Sequence, residues 1–305
     1  MAAADTSLVV VAYHRPDTLA QLLRSIDADA EKVVVNVDDD SRVSSVAVAC
    51  GAVVVPCMGN PGFAAGVNRG VRASTREFVV VTNDDVRFEA GAWRLLVSEL
   101  RLAEADVVVP ALVNESGGRS RSVVSHPTLG RLILEWLLLP DEPMRIVDRI
   151  LRVEKWRLPT QPEYVPGVAA AVLAARRQTF VDHPMPEEYF LYWEEREWFY
   201  LLAAAGRTTR YMPCARAIHH GGRQEVRAEK QRLLAENAIR CVRRTQGRRQ
   251  AALAWPIIVG WQCRLVAIDA LRALRGGRPS RKRLRARLHG LYGALRGAPI
   301  LVGLR

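Results

Sequence analysis

The sequence predicts an α/β fold: a mostly parallel sheet flanked by helices, followed by a basic, helical C-terminal tail. Three observations carry this expectation. Short Val-rich runs alternate with segments of helical periodicity, and unbroken apolar strands mark a parallel sheet covered on both faces. Acidic or polar clusters sit at the ends of those runs. Charge is split, with 20 Lys/Arg against 4 Asp/Glu from Arg223 onward and 24 against 28 before it.

The elements follow in order. "SLVVVAYHRP" gives a strand at about 7–12, and "DTLAQLLRSI" a helix behind an Asp cap. "KVVVNVDDDS" is a second strand running into an acidic loop, "GAVVVP" a third and "REFVVVTNDDV" a fourth. "EAGAWRLLVSELRLA" is a helix and "ADVVVPAL" a fifth strand. Residues 114–163 read as a loop plus a helix at "TLGRLILEWLLL". "YVPGVAAAVLAARRQTF" opens with a Gly turn and continues with small residues suited to close packing. A helix through "EWFYLLAAAG" is closed by Gly206, and "TTRYMPCARAIHHGG" is a strand ending in a His-His-Gly-Gly turn. Residues 224–305 are helical by pattern.

Composition narrows the function. A chain of 305 residues with 49% apolar and 25% charged residues has the make-up of a soluble globular protein. Its five scattered cysteines contain no C-x-x-C pair, which argues against a disulfide framework or zinc site and for a reducing compartment. The N-terminus has no basic n-region and its apolar run is strand-length, so no signal peptide is expected and the location is cytoplasmic. In "AWPIIVGWQCRLVAIDALRAL" the uninterrupted apolar part is short of a bilayer span, and charges recur at helical intervals. With the basic stretch beyond it, residues 254–305 read either as a surface helix on an anionic membrane or as a solvated basic face.

Ligands of such sheets bind outside the carboxyl ends of the strands. Those ends carry Tyr13, the cluster Asp38–Asp40 and the cluster Asn83–Asp85. Adjacent carboxylates at a strand end repel unless a cation intervenes, so Asp84 and Asp85 suit a divalent clamp on a diphosphate; a simple Asp-rich turn would look the same. "GNPGFAAGVNRG" matches neither G-x-G-x-x-G nor a P-loop. It looks like a loop entering a helix, with Asn68 facing the site. "AIHHGG" offers a histidine for a metal or for the core. "FLYWEEREW" sets Glu194, Glu195 and Glu197 among aromatics, either as first-turn acids favoured by the helix dipole or as a carboxylate whose pKa is deliberately raised.

Together, "VVVAYHRP", "VDDDS", "NPGFAAGVNRG", "TNDDV", "VPGVAAAVLAARRQTF", "EEYFLYWEEREW" and "AGRTTRYMPCARAIHHGG" resemble glycosyltransferase family 2 over about residues 7–223. The nearest flavour is the rhamnosyltransferase-like bacterial enzymes of cell-surface glycans. The resemblance implies a GT-A domain at 1–223, with a nucleotide-binding half to about 110 and an acceptor-binding half at 111–223, ahead of a tail at 224–305. It implies a metal-dependent, inverting transfer from a nucleoside-diphosphate sugar, dTDP- or UDP-linked, to a glycan or polyprenyl-linked acceptor. Such a reaction serves cell-envelope polysaccharide synthesis at the inner membrane face.

By residue, the resemblance implies donor contacts at Tyr13, Asp38, Asn60, Gly66, Asn68 and Asp84. Mg²⁺ or Mn²⁺ would sit at Asp85 with His219 or His220. Glu195 would be the base, with acceptor contacts at Gly167, Trp193, Glu194 and Glu197. The chain departs from the family pattern in having Glu at 195 for the usual Asp, Asp39-Asp40 for Asn-Gly, and Ala12 for Thr. "GGFDE" is shortened to "DHPMPEE". Rival readings are a basic nucleic-acid-binding protein, a dinucleotide oxidoreductase and an inactive transferase-like scaffold. Against the first, basic charge is confined to the tail and no binding motif appears, so no nucleic acid is expected. The missing G-x-G-x-x-G disfavours the second, and intact Asp85 and Glu195 the third.

Overall fold

The computed structural model describes residues 4–26, 29–102, 105–120, 122–133, 159–169, 171–220, 228–274 and 281–297. It divides into two compact units. The first comprises 1–124, 154–190 and 198–221; the second comprises 125–153, 191–197 and 222–305.

The first unit is an α/β layer structure around one nine-stranded sheet. Its strands are β1 Thr6–Ala12, β2 Glu31–Asn36, β3 Val53–Pro56, β4 Phe78–Asn83, β5 Val86–Phe88, β6 Val107–Val113, β7 Glu163–Tyr164, β8 Val172–Arg176 and β9 Thr209–His219. They lie in the order β3-β2-β1-β4-β8-β6-β9-β5, with β7 also on β9. The four strands from β3 to β4 are mutually parallel. Every residue of β1 and β6 is buried, as the continuous Val-rich runs demand. The expected mostly parallel sheet is therefore present, with three antiparallel strands, β5, β7 and β8. β8 forms where small residues were expected merely to pack closely, and it lies antiparallel between β4 and β6. β5 is only three residues long and follows directly on the acidic cluster, so periodicity gave no sign of it.

The helices are α1 Pro16–Arg24, α2 Ser41–Ala49, α3 Phe63–Ala73, α4 Ala92–Leu102 and the short α5 Leu129–Leu132. Then come α6 Arg177–Asp182, α7 Glu194–Ala204, α8 Ala228–Gln246, α9 Arg248–Leu274 and α10 Arg281–Arg296. α1 buries Leu19, Leu22 and Leu23, the stripe its spacing predicts. α3 presents Gly66 and Gly70 to the sheet. A Cβ on Gly66 would lie 2.7 Å from the Val11 side chain, and one on Gly70 2.2 Å from that of Val9. These glycines let α3 sit close on β1. Gly206, at φ 73°, follows the end of α7 in the left-handed conformation expected of a cap.

The second unit is helical among its described residues. α8 packs on α9 and α10 and buries Leu233, Ala235, Ala238, Ile239 and Val242. Asp269 is buried on α9 against Arg283 and Arg287 of α10. Beyond Ile133, the helix expected at "TLGRLILEWLLL" lies outside the described residues, as does the Gly221-Gly222 turn.

Candidate functional site

In the first unit the site is built where three adjacent parallel strands end. Ala12 pairs with Asn36 and Val11 with Asn83, so the loops after β2, β1 and β4 lie side by side. The β1 loop, Tyr13-His14-Arg15, ties all three together. The Tyr13 amide donates to Asp84 Oδ2 at 2.7 Å. Arg15 donates to Asp85 Oδ2. His14 lies between two acids of the β2 loop, its Nε2 2.7 Å from Asp38 Oδ2 and its Nδ1 2.9 Å from Asp40 Oδ2.

The antiparallel pair Val86–His219 carries one histidine to the same place. His219 Nε2 stands 3.2 Å from Asp85 Oδ1. His220 instead donates its backbone N–H to the Asp85 carbonyl at 2.8 Å, and its Nδ1 lies 2.9 Å from Glu115. Of the two histidines, His219 faces the Asp85 carboxylate.

The two acids differ electrically although both are buried. Burial raises Asp84 to about 6, with the Asp85 charge adding to it and the Tyr13 amide and Arg15 opposing it. Burial acts on Asp85 as well, but the facing His219 and the Arg15 guanidinium outweigh it, and its pKa falls below the ordinary carboxylate range. The pair thus separates into one acid that protonates readily and one that stays ionised. A divalent cation fits Asp85 and His219, an ionised oxygen ligand beside an imidazole nitrogen. Among the described residues no group of three or more His, Cys, Asp and Glu converges for a metal. Further ligands would have to be phosphate oxygens or water.

Other expected donor residues surround this cluster in different ways. Asn60, at φ 28°, accepts the Gly62 N–H through its side chain and donates its own N–H to Val37. Gly62 must be glycine: at φ 96°, a Cβ would lie 2.2 Å from the Phe190 carbonyl oxygen. Asn68 is buried, and its amide is engaged by the Met185 backbone and by Glu187. Gly66 faces Val11 and Val37. Gly167 lies against Phe199, whose ring a Cβ would meet at 2.8 Å.

In the second unit the aromatic-acidic stretch has a distinct construction. Tyr192 and Trp193 have φ of 70° and 80°. Bulky side chains in the left-handed region cost on the order of 1–3 kcal/mol each and persist only where surroundings impose them. Asn237 of α8 donates to the carbonyls of Leu191 and Tyr192 at 2.9 and 3.1 Å. Arg244 grips Glu197 with both carboxylate oxygens within 2.9 Å. Glu197 is therefore an anchor of the α7 start. Trp193 is buried under Arg196.

Glu194 and Glu195 remain. Each has one buried carboxylate oxygen without a hydrogen-bond partner. Burial, then the neighbouring Glu195 charge, raises Glu194 well above the ordinary range; burial raises Glu195 too. Carboxyls with raised pKa and an unclaimed oxygen are chemically suited to take up a proton. The residues that sequence reasoning passed over are His14 and Arg15, read only as turn residues. The available signal was charge: two basic residues ending one strand, between strands that end in acids.

The family model for glycosyl transferase family 2 matches residues 7–159. No curated protein matches the chain. Among solved structures, a mannosyltransferase from Pyrobaculum calidifontis in complex with GDP-Man and Mn²⁺ superposes with TM-score 0.56 at 13% identity. That match covers 96% of this chain and 86% of the other. GalNAc-T7 with UDP, GalNAc and Mn²⁺ gives TM-score 0.56 at 15% identity over 98% of this chain and 57% of that one. S. aureus TarS 1-349 gives 0.52 at 11% over 97% and 81%. At these identities the likeness is one of fold, and it is the GT-A fold.

The raised Glu194 predicts a stability signature. A carboxyl whose folded pKa exceeds its unfolded value favours folding fully below about 4.5, and that contribution is lost as pH rises through the folded value. Glu194→Gln should therefore raise the thermal midpoint at about pH 8 by about 2–4 °C, the effect of ~1 kcal/mol in a chain of this size, and change it little at about pH 4. Calorimetry at the two pH values checks this.

Proposed function

As this chain belongs to glycosyl transferase family 2, we propose that it moves a sugar from a nucleoside-diphosphate donor to a hydroxyl of a glycan or lipid-linked acceptor, inverting the anomeric centre. The observation that carries this reading is the Asp84–Asp85 pair, with Asp85 held ionised beside His219 at the end of β4. Asp85 and His219 would hold a divalent cation, Mg²⁺ or Mn²⁺, whose chemistry is to neutralise the departing diphosphate. Tyr13 and Asp38 would receive the base and ribose, with Asn60, Gly66 and Asn68 shaping the pocket wall. Residues 1–110 would be the nucleotide half, 111–223 the acceptor half and 224–305 the tail.

Glu195 would take the acceptor proton. Its burial and its unclaimed oxygen support that role, since burial raises its pKa above the ordinary carboxylate value and makes it the stronger base. Glu194 beside it would orient the site, and Gly167, Trp193 and Glu197 would shape the acceptor side. With Glu195 as base and the acceptor oxygen as the attacking group, the transfer is a single displacement, hence inversion. The dTDP or UDP identity and the rhamnosyltransferase-like subtype rest on motif resemblance alone. Donor turnover by Glu195→Gln should fall about 10²–10⁴-fold while nucleoside-diphosphate affinity stays within about twofold of wild type. Parallel loss of affinity and turnover would count against a base.

The acceptor would be presented at an anionic membrane surface. By length and composition, Arg248–Leu271 could cross a membrane, and only 28% of its most apolar window is buried. The outward positions of α9 support an in-plane placement: Ala252, Leu253, Pro256, Cys263, Ala267, Ala270 and Leu271 are exposed and uncharged, with exposed Arg248 and Arg249 at one end. Cosedimentation should show binding to phosphatidylserine-containing vesicles but not to neutral ones, weakened by high salt and by Leu253→Glu with Leu271→Glu. Equal partition to both vesicle types would overturn the anionic-surface reading, and no binding to either would remove the membrane role.

A further inference from the structure

Resting on the donor-site reading above, we infer that His14 is a positioning residue for the donor's base and ribose, acting as a doubly protonated bridge that holds Asp38 against Asp40. Geometry carries the inference. Both ring nitrogens lie within hydrogen-bond distance of a carboxylate oxygen, 2.7 Å to Asp38 and 2.9 Å to Asp40. A neutral imidazole has one N–H and one lone pair, so it can satisfy only one of these acceptors. The other contact would set a lone pair against an ionised oxygen. Only the imidazolium donates to both.

One end of the bridge is fixed and the other is not. Asp40 caps α2, accepting the Arg42 N–H at 2.9 Å and the Arg42 guanidinium at 3.0 Å. Its backbone is tied in both directions to the Asn36 side chain, at 2.8 and 3.1 Å. Asp38 is 41% exposed and, among the described residues, His14 is its sole hydrogen-bond partner. Its second oxygen is left to accept from a ligand. The histidine backbone is itself held in the left-handed region at φ 54°, with its ring 4.3 Å from the Tyr13 ring. His14 thus carries the rigidity of the α2 cap to an otherwise loose acid at the mouth of the site.

The charged groups around His14 agree. Asp38 and Asp40 face it from the β2 loop, and Arg42 is spent on Asp40. Arg15 is spent on Asp85, and Asp84 takes the Tyr13 amide. The two facing acids raise the His14 pKa above its ordinary value, Asp40 most. As pH rises through that value the bridge loses one of its two bonds and Asp38 is released. Donor affinity should fall in step.

Two measurements on the full chain test this. The first follows the His14 ring proton by NMR without ligand. The midpoint should lie above about 6.5 and drop in Asp40→Asn; an unshifted midpoint overturns the bridge. The second is calorimetric titration with UDP, dTDP and GDP in the presence of Mn²⁺, at about pH 6 and about pH 8.5. Wild type should lose about tenfold more affinity over this range than His14→Asn, the change one group makes when binding moves its pKa by one unit. Asparagine keeps the left-handed backbone accessible and cannot titrate. Every other titratable group is common to both proteins, so its contribution cancels in the comparison. His14→Arg, a permanent cation, should restore tight binding at the higher pH. Equal affinity and slope in wild type and His14→Asn would overturn the role of His14 and leave the donor site standing. Failure of every diphosphate to bind wild type, with the NMR bridge intact, would overturn the donor-site reading and the positioning role with it.

Discussion

Two adjacent carboxylates buried at the end of one strand are the constraint on which the first unit's architecture turns. Charges this close destabilise a fold unless their surroundings answer them. Here each answer comes from a different element. The backbone after β1 supplies an N–H to Asp84, Arg15 supplies a guanidinium to Asp85, and β9 brings His219 to its other oxygen. The packing follows from those needs. β1 must lie directly beside β4 for Tyr13 to reach Asp84, and Gly66 and Gly70 let α3 press close on β1. The short antiparallel β5 exists to turn the chain after Asp85 back along β9.

The second unit answers a related problem by other means. Glu194 and Glu195 are shielded yet have oxygens that nothing claims, and the residues before them sit in a costly backbone conformation. That conformation is held from outside by Asn237, and the following turn is anchored by Arg244 on Glu197. Local strain and unsatisfied carboxyls occur together where a protein keeps chemistry ready rather than stability maximal. Of the three acids, the one best satisfied, Glu197, is the one least available for that chemistry.

Much of this was legible from residues alone, and the misses have physical causes. Continuous Val runs identified β1, β2, β4 and β6 because burial leaves no polar alternation to confuse the reading, and the exposed edge strand β3 by its Val run alone. β8 was passed over because an Ala-rich segment has weak strand preference, and its place is imposed by β4 and β6 on either side. β5 is too short to carry a period. Asp84, Asp85 and the histidine pair stood out as clusters, but only coordinates separate His219 from His220. His14 and Arg15 escaped because their meaning depends on acids 24 and 70 residues away, which a linear reading does not set beside them. Glu197 looked like its neighbours until Arg244 was seen on it.

The central claim is that Asp85 and His219 hold a nucleoside diphosphate through a divalent cation. Its most direct test is a Mn²⁺ titration followed by electron paramagnetic resonance, with UDP, dTDP or GDP present and absent. The account predicts weak Mn²⁺ binding by the protein alone and at least about tenfold tighter binding with one of the diphosphates. That gain should disappear in Asp85→Ala and be reduced in His219→Ala. Mn²⁺ affinity that ignores every diphosphate, or that survives Asp85→Ala unchanged, would contradict it.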